Sequence, residues 1–459
     1  MSDSYAEFLS RKGHRDDPTG LLDVPDISEW LFPFQRDVVE FSLRRGRSGI
    51  FLGTGLGKSG IQLECSKHAA ASTNGRALIL TPLAVAGQMA MEGSSRGYDC
   101  RVIRDQSEAR DGINICNYDR LCRLDPDAFG SVSLDEGSCI KAFGGKTTRM
   151  ITDAFSGHRF RFSATATPAP NDHMELGTQA EFLGVIDYRE MLSRWFINDT
   201  STASQKWRMK GHAIGDFWRW VASWAMVATM PSDLGYSDDG YVLPPLSIVR
   251  HRAKSAIIKS KDGELFSSQS SATTIFNAKR QTAGARADIV AALVYAEPIE
   301  PWVCWCDTDG EADALMARIP GAVEVRGSMK ADEKEEAIEA FLSRQARVLI
   351  TKPSICGYGL NFQFCARTAF VGRTFSFEMW HQAVRRFHRF GQKRPVVVHI
   401  AVAEGEQQAD AAIARKEADH DRMRREVVSA IRGGSASGIT ERKPYKPTHD
   451  GRIPEWLTA

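Results

Sequence analysis

The sequence GIFLGTGLGKSGIQL, residues 49–63, is the strongest local indication of the fold of this chain. An apolar run typical of a buried β-strand leads straight into a turn with three glycines, and a helical pattern follows that turn. Glycines let several backbone N–H groups of one turn face the same point, and the first turn of the following helix adds positive potential there. The stretch therefore predicts a strand–turn–helix unit that binds a phosphate group.

Within this turn, the residues follow the spacing G-x-x-x-G-K-S, which is one residue shorter than the common nucleotide-binding loop. Lys58 would reach the β- and γ-phosphates of ATP, and the Ser59 hydroxyl would ligate Mg²⁺. The residues expected to contact the nucleotide here are Gly53, Thr54, Gly55, Gly57, Lys58 and Ser59. The alternative is a glycine-rich turn with a chance lysine, which the strand before the turn and the helix after it disfavour.

A glutamine lies upstream of this loop, in the segment Phe32-Pro33-Phe34-Gln35. A glutamine amide can form two hydrogen bonds with the edge of an adenine. Gln35 is therefore a candidate for recognising the base of ATP. Its position before the phosphate loop favours this role over that of an ordinary exposed glutamine.

Two adjacent carboxylates, Asp135 and Glu136, follow the apolar run Val132-Ser133-Leu134. Ligands gather at the carboxyl ends of parallel strands, so both side chains are expected near the phosphate loop. Asp135 would hold Mg²⁺, and Glu136 would orient or deprotonate the attacking water. Hydroxyl residues in 162–168, at the end of the next strand, can hydrogen-bond towards this pair. A solvated turn at a strand end is the alternative for the pair taken alone.

The segment QAVRRFHRFGQ, residues 382–392, carries polar side chains at helical spacing. Gln382, Arg386 and Arg389 stand at i, i+4 and i+7, which is one face of a helix. Arginines from a second lobe can neutralise the γ-phosphate in a transition state, so we expect Arg386 and Arg389 to be catalytic and Gln382 to contact the nucleotide. His388 is expected to be structural. A solvated basic face is the alternative.

Short apolar runs alternate with amphipathic stretches on both sides of a tryptophan-rich middle region, and this pattern predicts parallel sheets. The expected fold class is α/β, with two parallel-sheet lobes and a mostly helical insert between them. The expected domains are an N-terminal segment (1–30), an ATP-binding lobe (31–186), the insert and linker (187–280), a second lobe (281–404), and a C-terminal helix with a flexible tail (405–459).

The middle region contains five of the ten tryptophans of the chain. They are Trp195, Trp207, Trp218, Trp220 and Trp224. The run FWRWVASWAMV, residues 217–227, is a helix candidate with an apolar face. Packing within a helical core accounts for most aromatics of this kind, while others stack on bases or bind a partner, and the sequence leaves that choice open.

Composition restricts the class of protein. Lys and Arg number 59 against 57 for Asp and Glu, so any basic surface must be local. No apolar run approaches the roughly 20 residues needed to span a bilayer, so we expect no membrane partner. Nine scattered cysteines in a chain of 459 residues predict reduced thiols in a cytoplasmic protein. No pattern of zinc ligands is present in the sequence.

Taken in order, these elements resemble the motifs of superfamily 2 helicases, and specifically of their Swi/Snf-like branch. The elements are FQ, GTGLGKS, TPL, LDEGSCIK, ATATP, GYGLNFQ and QAVRRFHRFGQ, which span residues 32–392. The last is similar to the QxxxRxHRxGQ pattern of that branch, and the segment 216–236 resembles small helicases of bacteriophages and prophages. The chain departs from the family where Asp-Glu-Gly-Ser replaces DEAH or DEAD, and where Ala166 replaces a common glycine.

The resemblance implies two RecA-like lobes that hold ATP and Mg²⁺ between them, in an ATP-dependent DNA helicase or translocase that favours duplex DNA. It further implies the cytoplasm of a bacterial or phage-infected cell, with replication or recombination proteins as possible partners. Contacts with DNA phosphates are expected on loops 81–89 and 351–363, and the candidate residues are Lys141, Lys352 and Trp380. The alternatives are a nucleic-acid-binding scaffold with a vestigial ATPase, a P-loop phosphotransferase and an RNA-directed helicase.

Overall fold

A computed structural model gives the fold of the chain. It describes residues 17–140, 142–170, 172–199, 206–253, 272–357, 360–372, 376–402, 415, 416, 418, 422 and 425–429. Two parallel sheets covered by helices make up most of these residues. The expected α/β fold class with two parallel-sheet lobes is therefore confirmed.

The first sheet and the helices around it are here called lobe 1. Its strands are β1 (Arg47–Leu52), β2 (Arg76–Thr81), β3 (Cys100–Val102), β4 (Gly112–Asn117), β5 (Ser131–Asp135), β6 (Phe160–Ala164) and, later in the chain, β9 (Ala225–Ala228). Its helices are α1 (Pro33–Arg45), α2 (Lys58–Ala71), α3 (Leu83–Ser95), α4 (Lys146–Ala154) and α5 (Glu175–Leu183).

The strand order in lobe 1 is β3-β4-β2-β5-β6-β1-β9, and every neighbouring pair is parallel. The central strands are buried along almost their whole length, which explains their continuous apolar sequence. Because β6 lies between β1 and β5, the carboxyl ends of these three strands meet at one edge of the sheet. The phosphate loop and the acidic pair follow β1 and β5 at that edge.

The second sheet and its helices are here called lobe 2. Its strands are β10 (Leu246–Arg252), β11 (Trp302–Trp305), β12 (Val323–Val325), β13 (Val348–Thr351), β14 (Arg367–Phe370) and β15 (Val396–Val402). Its helices are α8 (Ala272–Ala296), α9 (Asp309–Met316), α10 (Ala331–Leu342), α11 (Pro353–Cys356) and α12 (Phe377–Val384). The strand order is β10-β15-β14-β11-β13-β12, again with parallel neighbours throughout.

The segment 187–280, expected as an insert, contributes one edge strand to each sheet. It begins with α6 (Tyr188–Trp195), the antiparallel hairpin β7 (Phe196–Asp199) and β8 (Lys206–Met209), and α7 (Ile214–Trp224). Strand β9 then pairs with β1, and β10 pairs with β15. A sheet edge offers unpaired backbone groups that an added strand satisfies, so the two lobes share this segment between them.

The helix predicted over 217–227 ends at Trp224 in the structure. That prediction is wrong for residues 225–227, because Ala225–Ala228 form β9 and pair with Gly49–Leu52 of β1. Backbone pairing with an open sheet edge outweighs the helical spacing of the apolar side chains at this point. The helix start also differs, since α7 begins three residues before Phe217.

The tryptophans of this segment mainly pack with one another and with lobe 1. Trp224 is fully buried against Phe51, with ring centroids 5.8 Å apart. Trp195 stacks on Trp220 at 4.5 Å, and Trp218 is buried beside Phe217. These contacts show that the cluster packs against the core of lobe 1.

The chain passes from lobe 1 to lobe 2 between Ala228 and Leu246. On the lobe 1 side, the hydroxyl of Tyr236 bonds Asp37, and Tyr241 packs edge-on against Phe34 at 5.6 Å. On the lobe 2 side, the carbonyl oxygen of Pro244 lies 2.8 Å from the ring nitrogen Nε2 of His388. This contact agrees with the structural role expected for that histidine.

Three further observations concern the whole of the described chain. All nine cysteines are free thiols. Among the described residues, no helix combines the length and the apolar composition that crossing a bilayer requires. Within the expected C-terminal helix and tail, the structure describes only residues 415, 416, 418, 422 and 425–429. One of them, Val427, belongs to the buried core of lobe 1.

Replacement of Trp224 by alanine should lower the free energy of unfolding by about 3–5 kcal/mol, because it leaves a large cavity beneath β1 and β9. The measurement is denaturant unfolding of the full chain. The matched control is Trp220→Ala, since that side chain is partly exposed and its loss should cost less. Equal losses in the two variants would contradict the packing described here.

Candidate active site

The phosphate loop connects β1 to α2 and has the backbone form that the sequence predicts. Gly55 and Gly57 have φ values of 90° and 81°, a region that favours glycine, and α2 begins directly at Lys58. Thr54 and Ser59 remain partly exposed beside the loop. Backbone N–H groups at the start of α2 therefore lie at the edge where β1 ends.

The ammonium group of Lys58 lies within this loop. It donates hydrogen bonds to the carbonyl oxygens of Leu52, at 2.9 Å, and Gly53, at 3.3 Å. Burial lowers the pKa of Lys58, while the nearby carboxylates of Glu136 and Asp135 act in the opposite direction. The lysine is thus held by weak neutral acceptors at a position that faces both members of the acidic pair.

Asp135 is the last residue of β5 and its carboxylate is held from two sides. Oδ1 accepts a hydrogen bond from Gln62 Nε2 at 2.9 Å, and Oδ2 accepts one from the Thr81 hydroxyl at 3.0 Å. The hydroxyl of Ser133 in turn donates to Gln62 Oε1 at 2.8 Å. The carboxylate therefore has a fixed orientation at the edge of the sheet.

Gln62 is a site residue that sequence reasoning missed. It stands four residues after Lys58 on α2, so both lie on the same face of that helix. Its side chain is fully buried and bonds two residues of β5. A polar residue one turn after the phosphate loop, on the face that covers the sheet, was the available signal.

Glu136 follows Asp135 in a left-handed backbone conformation, with φ of 55°. Its Oε2 atom accepts a hydrogen bond from Gln382 Nε2 of lobe 2 at 3.1 Å, and lies 3.5 Å from the Thr165 hydroxyl. A hydroxyl contact from residues 162–168 to the acidic pair was expected, and the Thr165 contact is of that kind but is long for a hydrogen bond. Burial raises the pKa of Glu136 to about 7, although the positive charge of Lys58 opposes this rise. The carboxyl is thus suited to accept a proton near neutral pH.

Gln382 and Arg386, both predicted site residues, come together on lobe 2. Arg386 Nη2 donates to Gln382 Oε1 at 3.0 Å, while Nε and Nη1 lie 3.3 Å and 3.4 Å from the carbonyl oxygens of Gln382 and Leu360. Both side chains are almost fully buried. Gln382 therefore bridges Arg386 of lobe 2 and Glu136 of lobe 1.

Arg389, the third residue of this set, also lies near the phosphate loop, although the helical face predicted for the set is wrong because α12 ends at Val384 and the chain continues in turns. Its charge and that of Arg386 both lower the pKa of Lys58. Burial lowers the pKa of Arg389 to about 10, and its buried Nε atom has no hydrogen-bond partner among the described residues. The next residue, Phe390, lies so close to Gly55 that a Cβ there would be 2.9 Å from Phe390 Cβ. Lobe 2 is therefore in direct contact with the phosphate loop.

The amide of Gln35 contacts the protein itself. Nε2 donates to the carbonyl oxygen of Leu56 at 3.0 Å, and Oε1 accepts from the backbone N–H of Phe32 at 3.0 Å. A Cβ at Gly57 would lie 2.2 Å from Gln35 Nε2. In this conformation Gln35 stabilises the phosphate loop. Its expected pairing with adenine would require the hydrogen bonds to Leu56 and Phe32 to break.

Two of the three DNA-contact candidates, Trp380 and Lys352, lie outside this site. Trp380 is 3% exposed and packs on Phe370 at 4.7 Å, so its expected DNA contact is wrong for this conformation: its ring lies in the core of lobe 2. Lys352 forms a 2.9 Å ion pair with Asp309. Lys141 lies outside the described residues.

The residues at this edge fit a magnesium-bound nucleotide. Among the described residues there is no group of three or more His, Cys, Asp or Glu side chains that could hold a metal ion. Mg²⁺ commonly takes one or two protein oxygens, with phosphate oxygens and water as its other ligands. Ser59 and the fixed carboxylate of Asp135 match that donor set, and the partnerless Arg389 Nε suits an anionic group nearby.

Similarity to this chain is found among solved structures. No protein-family model and no curated protein sequence matches this chain. A solved SWI2/SNF2 ATPase core of Sulfolobus solfataricus, in complex with dsDNA, is similar with a TM-score of 0.41 and 17% sequence identity. The similarity covers 89% of this chain and 96% of that one.

Replacement of Gln62 by alanine should lower the free energy of unfolding by about 1–3 kcal/mol, because Asp135 and Ser133 lose a buried partner. Denaturant unfolding measures the change. Gln88→Ala on α3 is the control, since Gln88 is exposed and its loss should have little effect. If the two variants were equally stable, the buried network around Asp135 would have no energetic importance.

Proposed function

We propose that this chain is an ATPase that hydrolyses ATP in the cleft between its two lobes and uses the energy to move along duplex DNA. The observation that carries the proposal is that two arginines of lobe 2 lie near the lysine and the two carboxylates of lobe 1. Lys58, Asp135 and Glu136 come from lobe 1, and Gln382, Arg386 and Arg389 come from lobe 2.

The roles on lobe 1 follow from the geometry of that edge. Lys58 would exchange its two carbonyl acceptors for the β- and γ-phosphate oxygens, which are stronger acceptors because they are charged. Ser59 and Asp135 would hold Mg²⁺. When bound, that ion neutralises phosphate charge and helps to align the phosphates. Glu136 would take a proton from the attacking water, consistent with its raised pKa.

The roles on lobe 2 concern charge that develops during phosphoryl transfer. Arg386 and Arg389 are permanently charged and largely removed from water, so their field at the γ-phosphate would be weakly screened. Arg389 would act as the main arginine finger, because its Nε is free of hydrogen bonds among the described residues. Arg386 donates a hydrogen bond to Gln382, so the two side chains would move together.

The DNA part of the proposal rests on the motif resemblance, above all on the segment QAVRRFHRFGQ, residues 382–392. The segments 81–89 and 351–363 were expected as loops, but the structure places the start of α3 in the first and α11 in the second. DNA contacts on these segments would be made mainly with phosphates and would tolerate many sequences. Leu83, within the first of these segments, and Met91, two residues after it, are exposed on α3. Binding of ATP would favour the closed cleft, and hydrolysis would remove the contact that keeps it closed.

The experiment that tests this function is the rate of phosphate release with duplex DNA, forked DNA, single-stranded DNA and RNA. Stimulation by duplex DNA supports the translocase, and stimulation by RNA alone would replace it with the RNA-directed alternative. Nucleic-acid binding without any hydrolysis would indicate the vestigial ATPase. Transfer of phosphate to a small molecule would indicate a phosphotransferase instead.

Replacement of Lys58 by alanine should abolish DNA-stimulated ATP hydrolysis, because the phosphates lose the only lysine of the loop. Phosphate release at saturating ATP is the measurement. Lys67→Ala on the exposed side of α2 is the control and should keep wild-type turnover. Intact turnover in Lys58→Ala would overturn the site assignment.

Replacement of Arg389 by alanine should reduce kcat by about 10³-fold or more while ATP binding is retained, because an arginine finger acts on the transition state. Single-turnover hydrolysis and equilibrium binding of a fluorescent ATP analogue separate the two effects. A loss of binding with normal single-turnover rates would exclude the finger role. Arg344→Ala is a control on the surface of lobe 2 and should change neither quantity.

A further inference from the structure

Two hydrogen bonds join α12 of lobe 2 to the turn that follows β5 of lobe 1. The Ser138 hydroxyl donates to Glu378 Oε1 at 2.7 Å, and Gln382 Nε2 donates to Glu136 Oε2 at 3.1 Å. Glu378 and Gln382 stand four residues apart and therefore lie on the same face of α12. Both hydrogen bonds therefore join the same face of α12 to the same turn after β5.

The turn itself is fixed to lobe 1. Gln179 Nε2 donates to the carbonyl oxygen of Gly137 at 2.7 Å, and Ser163 donates to Gln179 Oε1 at 2.6 Å. A Cβ at Gly137 would lie 2.1 Å from Ser163 Oγ, so the turn packs directly on β6. Because the turn cannot move apart from lobe 1, both of its bonds to α12 depend on the distance between the lobes.

The contact between Ser138 and Glu378 is well suited to stabilise the closed cleft. Both side chains are buried, at 1% and 7% exposure, and the acceptor is a carboxyl group. Hydrogen bonds to charged groups are at the strong end of the range in proteins, and their loss in a buried site is costly. Separation of the lobes would break this bond and the bond between Gln382 and Glu136 in the same movement.

We propose that Ser138 and Glu378 are positioning residues that couple closure of the two lobes to the placement of Glu136. The inference rests on the proposed function and adds a pair of residues that none of the motif roles includes. The contact between Ser138 and Glu378 holds α12 against the turn. The hydrogen bond from Gln382 to Glu136 is thereby retained. Arg386, which donates to Gln382 Oε1, is held beside them.

The test uses the full chain with Ser138→Ala, Glu378→Ala, both changes together, and Glu378→Gln. Either alanine change should lower kcat for ATP hydrolysis about tenfold, the effect of roughly 1.4 kcal/mol on a barrier. The KM for ATP should change little, since the phosphate loop is untouched. The double variant should be no slower than the single ones, because both remove the same contact. Glu378→Gln keeps an acceptor oxygen for Ser138 and should stay nearest to wild type.

A second measurement reports on closure without any catalysis. Small-angle X-ray scattering, with a non-hydrolysable ATP analogue present and absent, should show a larger radius of gyration for both alanine variants than for wild type. The matched control is Ser156→Ala, an exposed lobe 1 serine that bonds only the nearby Asp153 carbonyl oxygen in the described structure. Thermal denaturation confirms that each variant is folded at the assay temperature.

The outcomes separate this inference from the proposed function. If the wild-type chain had no ATPase activity, the proposed function would be rejected. The scattering comparison alone would then test whether the contact between Ser138 and Glu378 holds the lobes together. Unchanged radii of gyration in Ser138→Ala and Glu378→Ala would overturn the inference. So would kcat losses that multiply in the double variant, because unrelated structural effects add in free energy. A Glu378→Gln variant as slow as Glu378→Ala would also overturn it.

Discussion

The hydrogen bond from Gln382 to Glu136 is the interaction on which the rest of the candidate site depends. It joins a helix of lobe 2 to the end of a strand in lobe 1, and it sits between Lys58 and Arg386. The two residues are 246 positions apart in sequence, so this bond forms only when both lobes are in place. The arrangement of charges around the phosphate loop is therefore a property of the assembled pair of lobes, and neither lobe provides it alone.

Much of this site could be predicted from the sequence because parallel sheets place strand ends together. Lys58, Asp135 and Glu136 each follow an apolar run, and β1, β6 and β5 are neighbours in the sheet. A direct hydrogen bond confirms that Gln382 and Arg386 lie close together, but the helical face predicted for them is wrong, because α12 ends at Val384 and Arg386 lies in the turn that follows. Local patterns sufficed wherever a motif was short and stood at the end of a regular element.

The failures have a common physical cause, which is that local patterns do not say what lies opposite a side chain. Trp380 stands two residues before Gln382, so it faces the other side of α12 and enters the core of lobe 2. Gln62 and Glu378 find their partners on other elements, and no spacing within their own helices reveals those partners. Residues 225–227 follow a helical pattern but become a strand, because an open sheet edge was available to them.

The passage between the lobes has a consequence for how this molecule can bend. Tyr241 is anchored on Phe34 in lobe 1, while the carbonyl oxygen of Pro244 contacts His388 in lobe 2, so only Val242 and Leu243 lie between the two anchors. Two prolines follow, and each has a fixed φ angle. Tyr241 also packs on Phe390 of lobe 2, with ring centroids 4.8 Å apart. Because two residues of chain span at most about 7 Å, the two lobes cannot move far apart at this point.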